Sequence, residues 1–337
     1  MNEAAFPLLG TLFVFLVVLP MSALVARFLL DLMDRAPRTA GVLRALNARY
    51  FLLVGSSLLP LAWLFLSLLR NGASDALLVC LFDHDAPVCS EPGVFAGLLA
   101  VGVLAAAWGR LPQTRKCQAA PIAATQLMRR ISRLVDDTPA LRTLNNKLIL
   151  TDEPGFAVGV QGLFRHKVFI GRAYAGRLSN AALAGALAHE QEHVKAKDPL
   201  RYWLLRVALA VNPIGRHLLT AQCKRWLAAR EAECDREAVL RGVRPLELAE
   251  AILVASRPFP IPTVALGASD IGILKFRVEM LLAFAEQAPS RSGWRGSSVL
   301  LCGLMLATLL LIPQMLGIGA LDWFHVTVEQ AVTLFRL

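Results

Sequence analysis

The chain has 337 residues, 56% of them hydrophobic, with a mean hydropathy of +0.54 and a formal charge of +10. That average excludes an ordinary soluble globular domain and makes membrane segments the first thing to locate. Six cysteines without a CxxC pair exclude a disulfide scaffold, and the positive charge comes with no nucleic-acid motif, so no nucleic-acid partner is expected.

Four stretches are apolar enough to cross a hydrocarbon core of about 30 Å, which takes roughly 20 helical residues. They are residues 7–30, 51–69, 94–111 and 298–320, the third being the shortest. A cleaved leader is a poor reading of the first, because MNEAAF is acidic and no small-x-small site follows the long apolar run. Between the first two stretches stand Arg35, Arg38, Arg44 and Arg49, whereas residues 71–93 hold Asp75, Asp83, Asp85 and Glu91 and no lysine or arginine. The positive-inside rule then sets the 31–50 loop and the long central segment on the cytoplasmic side, with both termini and the acidic loop outside. Cys80 and Cys89 share that outer loop, where a disulfide is permitted, while Cys117, Cys223 and Cys234 face a reducing compartment and read as small core residues.

The expected organisation is a membrane region over 1–112, a cytoplasmic domain over 113–296, and a last span with a short tail over 297–337. Residues 115–134 read as an amphipathic helix, with Ile122, Leu127, Ile131 and Leu134 inward and a basic outer face that suits an anionic lipid bilayer. Residues 146–152, 155–160 and 166–171 are short β-type runs separated by EPG and QG, and predict a small antiparallel sheet. An alanine-rich helix then starts at a cap, Ser179 or Asn180, and carries AHEQEHVKAKDP over 188–199.

His189 and His193 lie one helical turn apart and project from one face, a spacing at which two imidazoles can hold one Zn²⁺. Glu190 is the carboxylate beside them, suited to carry a proton between water and a leaving amine. A polar helix end, with Glu192, Lys195 and Lys197, would spell the same letters, so a third ligand has to be found. It is sought in AAREAECDREAVL, 228–240, where Glu231 and Asp235 share one helical face and Glu233 and Glu237 another. Either pair could supply a ligand, and the ExxxD spacing favours Glu231. The competing reading is an exposed helix whose acids pair with Arg230, Arg236 and Arg241.

The run VFIGRAYAGRLSNAALAGALAHEQEHVKAKDPL, then NP, then REAECDREAV, resembles the BlaR/MecR-type integral membrane metallopeptidases, and KFRVEMLL (275–282) fits the end of their domain. The resemblance covers about residues 8–318. It implies a mainly α membrane protein of the bacterial inner membrane: four transmembrane helices, with a cytoplasmic α+β gluzincin domain between the third and fourth. It implies His189, His193 and Glu231 as zinc ligands, Glu190 as catalytic acid/base, and Asp235 as the carboxylate that orients a ligand histidine. The expected activity is endopeptidase cleavage of a protein substrate at the cytoplasmic face in signalling, the substrate being a cytoplasmic repressor or the chain itself. Only about twenty residues follow the last span, so the large penicillin-binding sensor domain of the antibiotic-sensing members is lacking; the tail reads as an interfacial helix. Other readings are a quality-control or CAAX/HtpX-like protease and a zinc-binding signalling module without hydrolysis. A transporter is disfavoured by spans almost free of ionisable groups. A substrate strand is expected to add to a sheet edge within 155–171, and His166, Asn212 and His217 are candidates, none preferred, for stabilising an oxyanion. Nothing in the sequence sets the oligomeric state.

Overall fold

A computed structural model describes residues 14–35, 46–70, 125–256 and 268–286. The expected third and fourth spans, the acidic loop with Cys80 and Cys89, and the C-terminal tail lie outside the described residues. The chain is mostly helical and divides into two compact units: 1–112 with 205–223 and 294–337, and 113–204 with 224–293. The stretch 205–223, which the sequence reading placed in the catalytic segment, thus packs with the first unit.

In the first unit, a π-helical turn at Val14–Val18 leads into α1 (Leu19–Arg35), and α2 (Leu46–Arg70) packs against it with Pro60 inside. Among the described residues one helix, Phe15–Arg35, is long and apolar enough to cross a membrane, with mean hydropathy 2.0. Leu19, Ala23, Ala26 and Leu30 are buried on one face, yet the opposite face is apolar too: Leu16, Met21, Val25, Phe28 and Leu32 are all more than half exposed. α1 continues past the expected end at Leu30 because the acids that follow are satisfied. Asp31 accepts from Arg27 (2.7 Å) and Gln222 (2.8 Å), and Asp34 from Arg49 (2.5 Å) and Gln222 (2.9 Å).

The second unit begins with α3 (Thr125–Asp137), which buries Ile131 and Val135 and lays Leu127 and Leu134 on the core, followed by a 3₁₀ turn at Pro139–Leu144. The sheet is β1 (Leu148–Thr151), β2 (Val158–Gln161) and β3 (Lys167–Gly171), in the order β1-β3-β2. β2 and β3 form the expected antiparallel hairpin, but β1 runs parallel to β3, so the sheet is mixed rather than antiparallel. Burial explains the order. β3 is buried from Val168 to Gly171 and takes the centre, whereas β2 is only half-buried throughout and takes an edge.

The remaining elements are helical: α4 (Arg172–Arg177), α5 (Asn180–Ala196), α6 (Asp198–Val211), α7 (Gly215–Leu240), α8 (Pro245–Ser256) and α9 (Ala268–Glu286). One core joins α3, the sheet, α5, α8 and α9 through Ile170, Tyr174, Leu183, Leu187, Leu248 and Leu281. Gly185 lets α8 approach α5, since a Cβ there would meet Val243 at 3.2 Å and the Leu248 backbone at 3.6 Å. α5 is thereby held on several sides, which fixes the direction of its C-terminal half.

Candidate metal centre

α5 starts where Ser179 accepts the Ala182 N–H at 3.1 Å, the side-chain cap that the sequence calls for. Its last turns bury His189, Glu190, Gln191, Glu192 and His193. Gln191 is tied to the Ala140 carbonyl (2.7 Å) and to Thr143, so it anchors the helix rather than serving a site. Glu192 takes Arg241 and Lys195. The two histidines face α7, their ring centroids 4.8 Å apart and their Nε2 atoms 3.1 Å apart.

Each imidazole is held from behind by a carboxylate. His189 Nδ1 lies 2.7 Å from Asp235 Oδ1, and His193 Nδ1 lies 2.7 Å from Asp198 Oδ2. In the neutral ring, Nδ1–H donating to the carboxylate leaves Nε2 as the acceptor, and the two Nε2 atoms face one another. Asp198 reaches His193 because Lys197 ends α5 in the left-handed conformation (φ 56°), turning the chain so that Asp198 and Pro199 open α6 beside the helix just completed.

The third corner comes from α7, one turn before Asp235. Glu231 Oε2 lies 3.3 Å from His189 Nε2, and Glu231 Oε1 lies 3.5 Å from His193 Nε2. His189, His193 and Glu231 therefore form a group whose ligand atoms all fall within 4.8 Å of one another and could hold a metal ion. Glu233 is turned away, occupied by Arg236 at 2.8 Å together with Glu237. Of the two acidic faces on α7, the site uses that of Glu231 and Asp235. His193, Asp198 and Cys234 make a second cluster of possible ligands, but Arg230 already donates to Asp198 at 2.7 Å.

One central residue was not singled out in the sequence. Arg277 of α9 donates from Nε and Nη2 to the two Asp235 oxygens at 2.7 and 2.8 Å, and from Nη1 to Glu231 Oε2 at 3.0 Å. Its only sequence signal was membership of KFRVEMLL, where a single arginine looks like any cation on a helix. Tyr202 of α6 was missed as well: its ring lies edge-on to His193 at 6.3 Å, and its buried hydroxyl has no hydrogen-bond partner among the described residues.

Electrostatics follow from burial and these contacts. Burial pushes the His189 imidazole down, but the Asp235 carboxylate prevails and carries it up to about 9. Burial raises Glu231, yet the two imidazoles and Arg277 hold it well below the usual carboxylate range. Asp235 is lowered in the same way: Arg277 and His189 outweigh its burial. Glu190 moves in the opposite direction: its burial exceeds the pull of the histidines, and Glu231 adds repulsion, so its carboxyl is raised above its ordinary value. Four carboxyl groups (Glu190, Asp198, Glu231, Asp235) meet three guanidinium groups: Arg201 and Arg230 at Asp198, and Arg277 at Glu231 and Asp235.

None of the three oxyanion candidates is among these donors. Asn212 belongs to the first unit, where its amide donates to the Leu19 carbonyl at 2.8 Å. His217 is exposed on α7 in that same unit. His166 sits at the base of the β2–β3 turn, its Nε2 buried without a hydrogen-bond partner among the described residues. Cys223 and Cys234 are buried free thiols. The chain matches no protein-family model, no curated protein and no solved structure at a significant level, so the resemblance seen in the sequence is carried by its motifs alone.

Proposed function

We propose that the chain is an integral membrane zinc endopeptidase that hydrolyses a peptide bond of a protein substrate at the cytoplasmic face. The observation that carries this reading is the closeness of the donors: the two imidazole Nε2 atoms lie 3.1 Å apart, and Glu231 sets Oε2 3.3 Å from that of His189 and Oε1 3.5 Å from that of His193. A tetrahedral zinc with bonds of about 2.0–2.1 Å separates its ligand atoms by about 3.3 Å, and two imidazoles with one carboxylate are a common catalytic zinc set that leaves a fourth position open. His189, His193 and Glu231 would hold the ion, which when bound acidifies a water and polarises the scissile carbonyl.

The chain's own groups supply the rest. Glu190, buried beside the histidines, would in its ionised form take a proton from the attacking water and pass it to the leaving nitrogen; burial makes that carboxylate a stronger base than an exposed one. Asp235 and Asp198 keep the imidazoles oriented through the cycle. β2 is an edge strand, so an extended substrate can pair with Val158–Gln161. The membrane placement draws on the four apolar stretches and on α1, whose outward apolar face suits lipid better than water.

The test uses the purified full-length chain in nonionic detergent, with metal content and peptide cleavage read separately. Glu190→Gln should keep about one zinc per chain and lose cleavage by about 10²–10⁴-fold. His189→Ala should lose both. Undiminished cleavage by the Glu190→Gln variant would refute the enzyme, and wild-type chain that holds no zinc would refute the metal.

A further inference from the structure

On α3, well away from the metal ligands in the sequence, lies a polar cleft of about 370 Å³ lined by Gln126, Arg129, Arg130, Arg133, Asp137 and Asn180. Three arginines converge there, and none of them makes an ion pair with a carboxylate among the described residues. Arg130 is fixed by neutral acceptors: Asn180 Oδ1 at 2.6 Å, the Leu178 carbonyl at 2.7 Å and the Ala175 carbonyl at 3.2 Å. Its charge is therefore positioned but not cancelled. Arg129 and Arg133, one turn apart on the exposed face, extend the same positive surface. The nearby acids do not neutralise it. Asp137 lines the cleft without an ion pair, and Glu250 accepts from the Ser179 hydroxyl at 3.4 Å.

We infer that this cleft binds the phosphate of an anionic phospholipid headgroup. Planar guanidinium groups match phosphate oxygens through paired, charge-assisted hydrogen bonds, and one arginine already held in place lowers the ordering cost of capture. The cleft has no aromatic wall on which a base could stack, which argues against a nucleotide. The chemistry of the lining calls for an anion, and the chain supplies its source: residues 112–124 alone separate α3 from the apolar stretch 94–111. The basic face is thus tethered close to a leaflet rich in such headgroups. This inference takes the membrane location from the proposed function but none of its peptidase chemistry.

The experiment is native mass spectrometry of the full-length chain in nonionic detergent. It is titrated with short-chain phosphatidylglycerol, phosphatidylcholine of the same acyl length, inorganic phosphate, or a phosphoserine peptide. Phosphatidylglycerol should bind with clear preference. Arg129→Ala with Arg133→Ala should weaken it about ten- to thirtyfold, while the corresponding lysine pair, which keeps the charge and loses the paired hydrogen bonds, should fall between. Both arginines are exposed, so the variants should melt as wild type does. Equal binding of phosphatidylcholine, or unchanged affinity in the alanine pair, overturns the inference. Inorganic phosphate that displaces the lipid at equal concentration, or a phosphopeptide that binds more tightly, would also overturn it by reassigning the cleft. Metal content and cleavage are read on the same preparations, so loss of the peptidase reading would leave this result standing.

Discussion

Arg277 shows how much of the site depends on one buried cation. Its guanidinium spans both Asp235 oxygens and one Glu231 oxygen, and its side chain is 14% exposed. Removing it leaves the buried Asp235 and the half-buried Glu231 without that cation, and stranding a buried charge costs about 3–5 kcal/mol in comparable settings. Arg277→Met should therefore lower the thermal unfolding temperature of the detergent-solubilised chain substantially, and added zinc should restore part of the loss by supplying charge to Glu231. Arg277→Lys keeps the charge but cannot span two carboxylates, so it should fall between the two. A methionine variant that melts like wild type would show that the clamp contributes little. At this scale the sequence revealed the histidines, Glu190 and the two acidic pairs on α7, because helical spacing alone dictates which side chains share a face. It favoured Glu231 over Glu233 on the ExxxD spacing but could not exclude Glu233 by helical periodicity, since both glutamates begin an acidic pair on a face of α7. It gave no cue for Arg277, which arrives from a helix 42 residues beyond Asp235.

At the level of elements, the site depends on where α5 is directed, and that is set by its two ends. At the C-terminal end the left-handed Lys197 returns the chain on itself and delivers Asp198 to His193. At the N-terminal side, β3 passes into α4 at Gly171, whose N–H donates to the Ala157 carbonyl at 2.7 Å. A Cβ on Gly171 would lie 1.9 Å from the Phe156 carbonyl oxygen. Gly171→Ala must push the 156–157 segment away from β3, and should cost about 1–3 kcal/mol as overpacking does elsewhere. Thermal unfolding measures the loss, and hydrogen exchange should show faster opening of the β2–β3 pairing beside it. The β runs and the cap at Ser179 were legible from turn residues and alternation. The parallel pairing of β1 was not, because strand order reflects which strand is most apolar across the whole sheet.

For the whole molecule, membrane placement is the largest question and the sequence carries most of its support. The asymmetry of Arg and Lys between the 31–50 and 71–93 loops predicts that the arginine-lined face of α3 lies in the cytoplasm and the acidic loop outside. In a chain freed of its native cysteines, Ser90→Cys should react with a membrane-impermeant maleimide on intact cells. Ser132→Cys, exposed on α3, should react only after permeabilisation. The reverse pattern would move the domain, and with it the proposed substrate, to the other side. Composition and periodicity by themselves determined the apolar stretches, the charge asymmetry and the helix faces that carry His189, His193, Glu231 and Asp235, because each of these is a local property of spacing and polarity. Only the tertiary structure decided that 205–223 packs with the first unit, that β1 is parallel to β3, that Glu231 rather than Glu233 meets the histidines, and that Asp198 and Arg277 hold the ligand set in place. Those outcomes come from which buried surfaces fit together across long separations in the chain, and no window of sequence contains that information.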